Sequence, residues 1–291
     1  MRIGIITPVV AQPPLGHGAW EASAGIEELG LIAETADRLG YHHLTCSEHV
    51  AVPAEAAAQR GGVYWDPLAT FGYLAARTRR VRLATQVLVL GYHHPLEIAK
   101  RYGTLDAVSG GRVVLGLGVG SLEEEFDLLG APFKDRGARA DDALAALRAA
   151  LSQREPSYQG EYYSFSGLVV EPHAVQKKVP LWIGGRTLRS LRRAAQADGW
   201  VPFGLPADAL REMLGKVELP EDFDVVLSPT RALDPLASPE AVGSALRELS
   251  GAGATVAGVR VKADSAAHYC DQLAALRDLG DDLGLTFGEI L

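Results

Sequence analysis

The sequence predicts an α/β fold of the TIM type, a (β/α)8 barrel with a small inserted hairpin segment. Three observations lead there. Short runs rich in Val, Ile and Leu alternate with longer amphipathic stretches about eight times. Runs such as 81–90 are apolar at odd and even positions alike, the pattern of parallel strands covered on both faces. With 291 residues, 47% of them hydrophobic, the chain can bury one large core, so 1–291 is expected to form a single barrel domain with an insertion near 152–179.

Strands are expected at 2–6, 43–46, 81–88, 112–117, 180–183, 199–202, 223–228 and 255–261. Helices are expected at 26–39, 67–77, 95–108, 123–130 continuing at 137–151, 187–197, 206–216, 239–250 and 265–279. Local punctuation supports them. Gly40 closes the first helix, Ser238-Pro239-Glu240 opens another as a cap followed by Pro in the first turn, and Gly280 ends the last. The segment 50–66, rich in Ala, Gly and Pro, reads as a long loop after the second strand. Residues 156–172 alternate aromatic and polar side chains about Gly160 and Gly167, which suggests the inserted hairpin.

Composition narrows the function. The 28 basic against 36 acidic residues leave a net charge of −8, which attracts neither a phosphate backbone nor an anionic bilayer, so no nucleic-acid or membrane partner is expected. Cys46 and Cys270 make no disulfide framework and no zinc spacing. The apolar start of the chain is broken by Pro8, Pro13 and Pro14, as suits a buried first strand, and a cytoplasmic location is expected.

A barrel places its chemistry where strands end at the C-terminal face. Glu48-His49 follows the second strand, and histidine exchanges protons near neutral pH. A capped loop in which Glu48 binds backbone donors explains the pair equally well. His93 and His94 precede Pro95 and either act chemically or shape the start of a helix. His42, His43, His49, His93 and His94 lack the spacing of a helical zinc motif, and no metal is expected. Gly116-x-Gly118-x-Gly120 and Gly184-Gly185-Arg186 either permit tight turns or bring bare N–H groups to a phosphate. Loop aromatics such as Tyr64 and Tyr92 either roof a pocket or pack their own loops, and Arg231 suits the surface better than a ligand.

The runs His94-Pro95-Leu96-Glu97-Ile98-Ala99-Lys100, Leu105-Asp106-Ala107-Val108-Ser109-Gly110-Gly111-Arg112 and Gly116-Leu117-Gly118-Val119-Gly120 resemble the central signature of the luciferase-like monooxygenase superfamily. Ser47-Glu48-His49, Trp65-Asp66-Pro67-Leu68, Glu125-Phe126 and Pro180-Leu181-Trp182-Ile183-Gly184-Gly185 match it too, so the likeness covers roughly residues 1–200, in order. The resemblance implies a flavin-type ring at the C-terminal mouth. A cis non-prolyl bond would back it, here at Gln86-Val87. Glu48 and His49 would lie beside the ring, Thr85, Gln86 and Val87 behind it, and Gly118, Gly120, Ser121, Gly184, Gly185 and Arg186 near the ribityl phosphate.

The superfamily divides by cofactor, and this chain looks more like the branch that uses coenzyme F420, a deazaflavin that passes hydride. In that picture His49 is the proton donor or acceptor and Glu48 orients it. The alternatives are an FMN-dependent monooxygenase served by a separate flavin reductase, and a non-catalytic flavin-binding protein. A homodimer is expected because similar proteins often are dimers. The chain departs from many relatives in placing Ser121 after the glycine run, with Glu123, Glu124 and Glu125 following, which counts against sugar-phosphate and long-chain aldehyde substrates.

Overall fold

The computed structural model describes residues 1–14, 17–280 and 282–288. Eight parallel segments close into a barrel: β1 (Arg2–Ile5), β2 (His43–Cys46), β3 (Arg82–Thr85) continued by β4 (Leu88–Val89), β5 (Val113–Gly118), β8 (Leu181–Gly184), β9 (Gly199–Val201), β10 (Asp224–Leu227) and β11 (Val256–Val259). Pairing of β1 with both β2 and β11, and of β5 with β3, leaves no free edge. The expected strand at 81–88 is thus broken in two. The Gln86–Val87 peptide between the halves is cis, at the bond that the family resemblance had singled out.

Helices follow the strands: α1 (Ile26–Arg38), α2 (Ala54–Arg60), α3 (Pro67–Arg77), α4 (Pro95–Ser109), α5 (Glu123–Leu128), α6 (Arg136–Ala150), α7 (Leu188–Ala194), α8 (Ala207–Leu214), α9 (Pro239–Gly251) and α10 (Ala266–Asp278). The helix α2 lies within the segment expected to be loop. Its Ala-rich run has high intrinsic helix propensity, and it buries none of its side chains, so no amphipathic stripe announces it. The insertion contains an antiparallel hairpin, β6 (Tyr158–Gln159) with β7 (Ser164–Phe165). No described helix is long and apolar enough to cross a membrane.

Two apolar layers result from strand alternation. Ala84, Val114, Trp182, Val201, Val226 and Val256 form one buried cluster, the barrel filling, while Leu83, Leu115, Leu181 and Leu227 belong to the larger cluster beneath the helices. At the N-terminal end His43 is fully buried beside Trp182, and it fits because residue 4 is glycine: a Cβ there would stand 2.0 Å from the His43 ring. Burial holds both His42 and His43 well below the ordinary histidine value, at about 2 and about 3. This pair sits at the barrel's other end from the strand-end residues considered next.

Polar side chains fix the turns that set strand position. Asp37, buried at the end of α1, accepts from the N–H groups of Arg79, Arg80 and Val81 and so anchors the approach to β3. Arg112 donates to the carbonyls of Ala75, Thr78 and Ser109, joining the ends of α3 and α4 before β5 begins.

At the C-terminal mouth the glycines have a packing reason. A Cβ on Gly118 would approach Val87 Cγ2 to 2.6 Å and one on Gly184 would approach Val87 Cγ1 to 2.8 Å, so the Val87 side chain sits between two bare backbones. Gly184→Ala is therefore expected to destabilise the fold by about 1–3 kcal/mol through overpacking. Val87→Ala in the same chain should recover most of that loss. A double-mutant cycle by urea unfolding measures the coupling, and additive effects would refute the wedge.

Candidate active site

A cleft of about 1580 Å³ opens at the C-terminal ends of the strands and continues between α8 and α9. Its wall includes Ser47, Glu48, His49, Gln86, Val87, Gly118, Gly120, Ser121, Gly184 and Gly185 of the residues expected from sequence. Thr85 and Arg186 are not part of that wall. The buried Thr85 hydroxyl donates to the Gly116 carbonyl at 2.7 Å, behind the cis bond, and Arg186 is exposed with its guanidinium 5.8 Å from the Phe203 ring.

His49 is held from an unexpected direction. Its Nδ1–H donates to Glu125 Oε2 at 2.7 Å, and its ring meets Tyr64 edge-on with centroids 4.5 Å apart. A carboxylate only accepts, so this bond fixes the tautomer and leaves Nε2 with its lone pair when the ring is neutral. Nε2 has no hydrogen-bonding partner among the described residues.

The expectation that Glu48 orients His49 is therefore corrected. Successive residues leave the end of β2 in different directions, and the Glu48 side chain turns toward strand three: Oε2 accepts from the Val89 N–H at 2.7 Å and Oε1 from His93 Nε2–H at 2.6 Å. Glu48 thus fastens the far side of the cis peptide. His93 joins the site through it, whereas His94 caps α4, its Nδ1 accepting from the Leu96 N–H at 3.1 Å.

Glu125 is the residue that sequence reasoning passed over. It is fully buried, and besides His49 it accepts from Val50 N–H at 2.6 Å, Ala51 N–H at 3.2 Å and Tyr92 O–H at 2.8 Å. Its signal was present: Leu122, Glu125 and Phe126 share the i, i+3, i+4 face of α5, and an acid on an apolar face needs partners. Burial alone would raise the Glu125 pKa, but the hydrogen bonds from His49, Tyr92 and Ala51 outweigh it and hold the carboxyl below its ordinary value. For His93, burial alone would lower the pKa. The hydrogen bond and charge of Glu48, with the charge of Glu97, reverse that and raise it.

The family model for luciferase-like monooxygenases matches residues 1–281. The chain belongs to the luciferase-like monooxygenase family. An uncharacterised protein of Mycobacterium tuberculosis is 30% identical over 199 residues, which cover 64% of this chain and 69% of that one. Among solved structures, the coenzyme F420-dependent tetrahydromethanopterin reductase of Methanopyrus kandleri superposes with a TM-score of 0.73 at 15% identity, covering 95% of this chain and 97% of its own. The oxygenating constituent of 3,6-diketocamphane monooxygenase from Pseudomonas putida, in complex with FMN, reaches 0.68 at 15% identity, again over 95% and 97%. At these identities the two structures speak for the fold.

Because the Glu125 pKa is lowered on folding, its carboxylate contributes stability above its unfolded value near 4.5, and that contribution disappears as pH falls through the folded value. Glu125→Gln should cost about 1–3 kcal/mol at pH 7, the range for disturbing a buried charged hydrogen-bond centre. The deficit should shrink at pH 3.5. Urea unfolding at the two pH values checks both, and a deficit independent of pH would argue against the ionised centre.

Proposed function

We propose that this luciferase-family protein is an F420-dependent oxidoreductase that transfers hydride between the deazaflavin ring and a small organic substrate. The observation that supports it most is the His49 imidazole, which lines the cleft and is fixed at Nδ1 by a buried carboxylate. A redox reaction that moves hydride to or from carbon commonly needs a positioned acid or base for the accompanying proton.

The residues fit such a group. The cleft is wide enough for a flat ring with a phosphorylated side chain. Gln86 and Val87 form part of its wall, and Gly118, Gly120, Gly184 and Gly185 put no side chains in the way. In this reading Gln86 and Val87 back the ring, while Gly118, Gly120, Ser121, Gly184 and Gly185 lie toward the phosphate, with Arg186 exposed outside the wall. When bound, the deazaflavin supplies the hydride donor or acceptor.

The chain's own residues then handle protons and exclude water. Neutral His49 accepts a proton at Nε2 from a substrate group being oxidised, and the imidazolium is stabilised by ionised Glu125; in the reducing direction the same Nε2–H is returned. Tyr92 and the N–H groups of Val50 and Ala51 keep Glu125 ionised, and the Tyr64 ring closes one side of the imidazole. Glu48 acts on the wall of the cleft by holding Val89.

A second reading, FMN-dependent monooxygenation with a separate reductase, draws support from the FMN bound to the Pseudomonas putida neighbour on the same fold. Fluorescence titration of the purified protein with F420 and with FMN separates the two. Tight F420 and weak FMN binding is expected, and the reverse order would transfer the assignment to the monooxygenase. His49→Gln should keep cofactor affinity and lower turnover about 10²-fold, within the range for loss of a general acid–base. A variant as active as the parent across a substrate panel would remove His49 from the mechanism.

A further inference from the structure

Behind the cleft a second acid–base pair leads away from His49. Glu48 belongs to the wall of the main cleft and also to the wall of a separate cavity of about 10 Å³. That is close to the volume one water molecule needs. Asp66, His93, Arg101 and Tyr102 line the same small cavity. His93 bridges outward: Nε2 is 2.6 Å from Glu48 Oε1, and Nδ1 is 3.7 Å from Glu97 Oε2, whose side chain is 47% exposed. Glu97 also pairs with Arg101 at 2.7 Å on the surface of α4. From cleft to solvent the order is therefore Glu48, His93, Glu97.

Each Glu48 oxygen has one partner, His93 on Oε1 and the Val89 N–H on Oε2. A carboxylate offers about four acceptor positions, so one on each oxygen remains open on a residue that lines both the cleft and the small cavity. None of these contacts involves His49 or Glu125.

We infer that Glu48 and His93 form a second proton path, which exchanges protons between the cleft and solvent on the α4 side independently of His49. The inference rests on the oxidoreductase reading for the identity of the group it serves. In one passage, imidazolium His93 gives its Nε2 proton to Glu48, and Glu48 gives a proton to the group in the cleft. The carboxylate ends ionised, as it began. Neutral His93 keeps its Nδ1–H toward Glu97, and its emptied Nε2 regains a proton from solvent through the water-sized cavity that His93 and Glu48 both line. His93 functions here as a positioning and relay residue, acting through Glu48.

The charges around His93 suit that cycle. Burial opposes the imidazolium, as does Arg101, while Glu48 and Glu97 favour it and prevail. Asp66 and Tyr102 complete the titratable groups lining the small cavity, from the α3 cap and from α4.

Two measurements test the path. In 15N-labelled protein without cofactor, the His93 imidazole, identified by its loss in His93→Gln, should titrate above the free-histidine value of about 6.5. Glu48→Gln should move that titration down by about one pH unit; an unmoved titration overturns the pair. The second measurement follows oxidation of reduced F420 by the quinone menadione. His93→Gln should retain F420 binding by fluorescence, slow the reaction about tenfold and enlarge its solvent deuterium isotope effect. Added imidazole should restore most of the rate in His93→Gly. An unchanged rate and isotope effect in His93→Gln overturns the path. Should reduced F420 fail to bind the parent protein, the F420-dependent reading falls and the path with it, while the titration still decides whether Glu48 and His93 share a proton.

Discussion

A buried carboxylate cannot stay ionised without several donors, and at Glu125 this requirement gathers the mouth of the barrel. The side chain sits on α5, after β5; its donors come from the loop after β2 and from the turn after β4. Three separate βα junctions are thereby held to one point by hydrogen bonds to charge, the stronger kind. His49 takes its orientation from this centre. The Phe126 side chain beside it packs edge-on against Tyr92, with ring centroids 4.8 Å apart, so the apolar and polar contacts of α5 support the same arrangement.

The broken third strand supplies the second constraint. Ending β3 at Thr85 and resuming at Leu88 turns Gln86 and Val87 into the cleft wall instead of continuing the ladder. The Val87 side chain then occupies the space that Gly118 and Gly184 leave, and the Glu48 carboxylate holds Val89 beyond it. Glycines that invite a phosphate reading are thus partly accounted for by close packing. The two roles are compatible, because a bare backbone accommodates a neighbour on one side and faces the cleft on the other.

The arrangement separates two acid–base pairs that are adjacent in sequence. Glu48 and His49 point to different partners, His93 and Glu125, so the two pairs leave the cleft wall in different directions, one toward α4 and one toward α5. Both carboxylates are buried and both histidines are half-buried, a setting in which small changes of charge shift proton affinity strongly.

The barrel was legible in the sequence because burial on both faces leaves continuous apolar runs, and because Gly40, Ser238-Pro239 and Gly280 mark helix ends by local backbone chemistry. The family was legible for a similar reason: its signature lies in continuous segments. Strand ends also located one side of the cleft wall, from Ser47 to Gly185, but not the side formed by 201–210, 227–234 and α9. Periodicity could not reveal the helix at 54–60, which buries no stripe, nor the interruption of strand three, which leaves the apolar pattern of 81–90 intact. The pairing of His49 with Glu125, 76 residues apart, and of Glu48 with His93, 45 apart, belonged to the tertiary structure alone. Which carboxylate meets which imidazole depends on the closing of the barrel and the direction each side chain takes from its strand end, and neither is a property of neighbours in sequence.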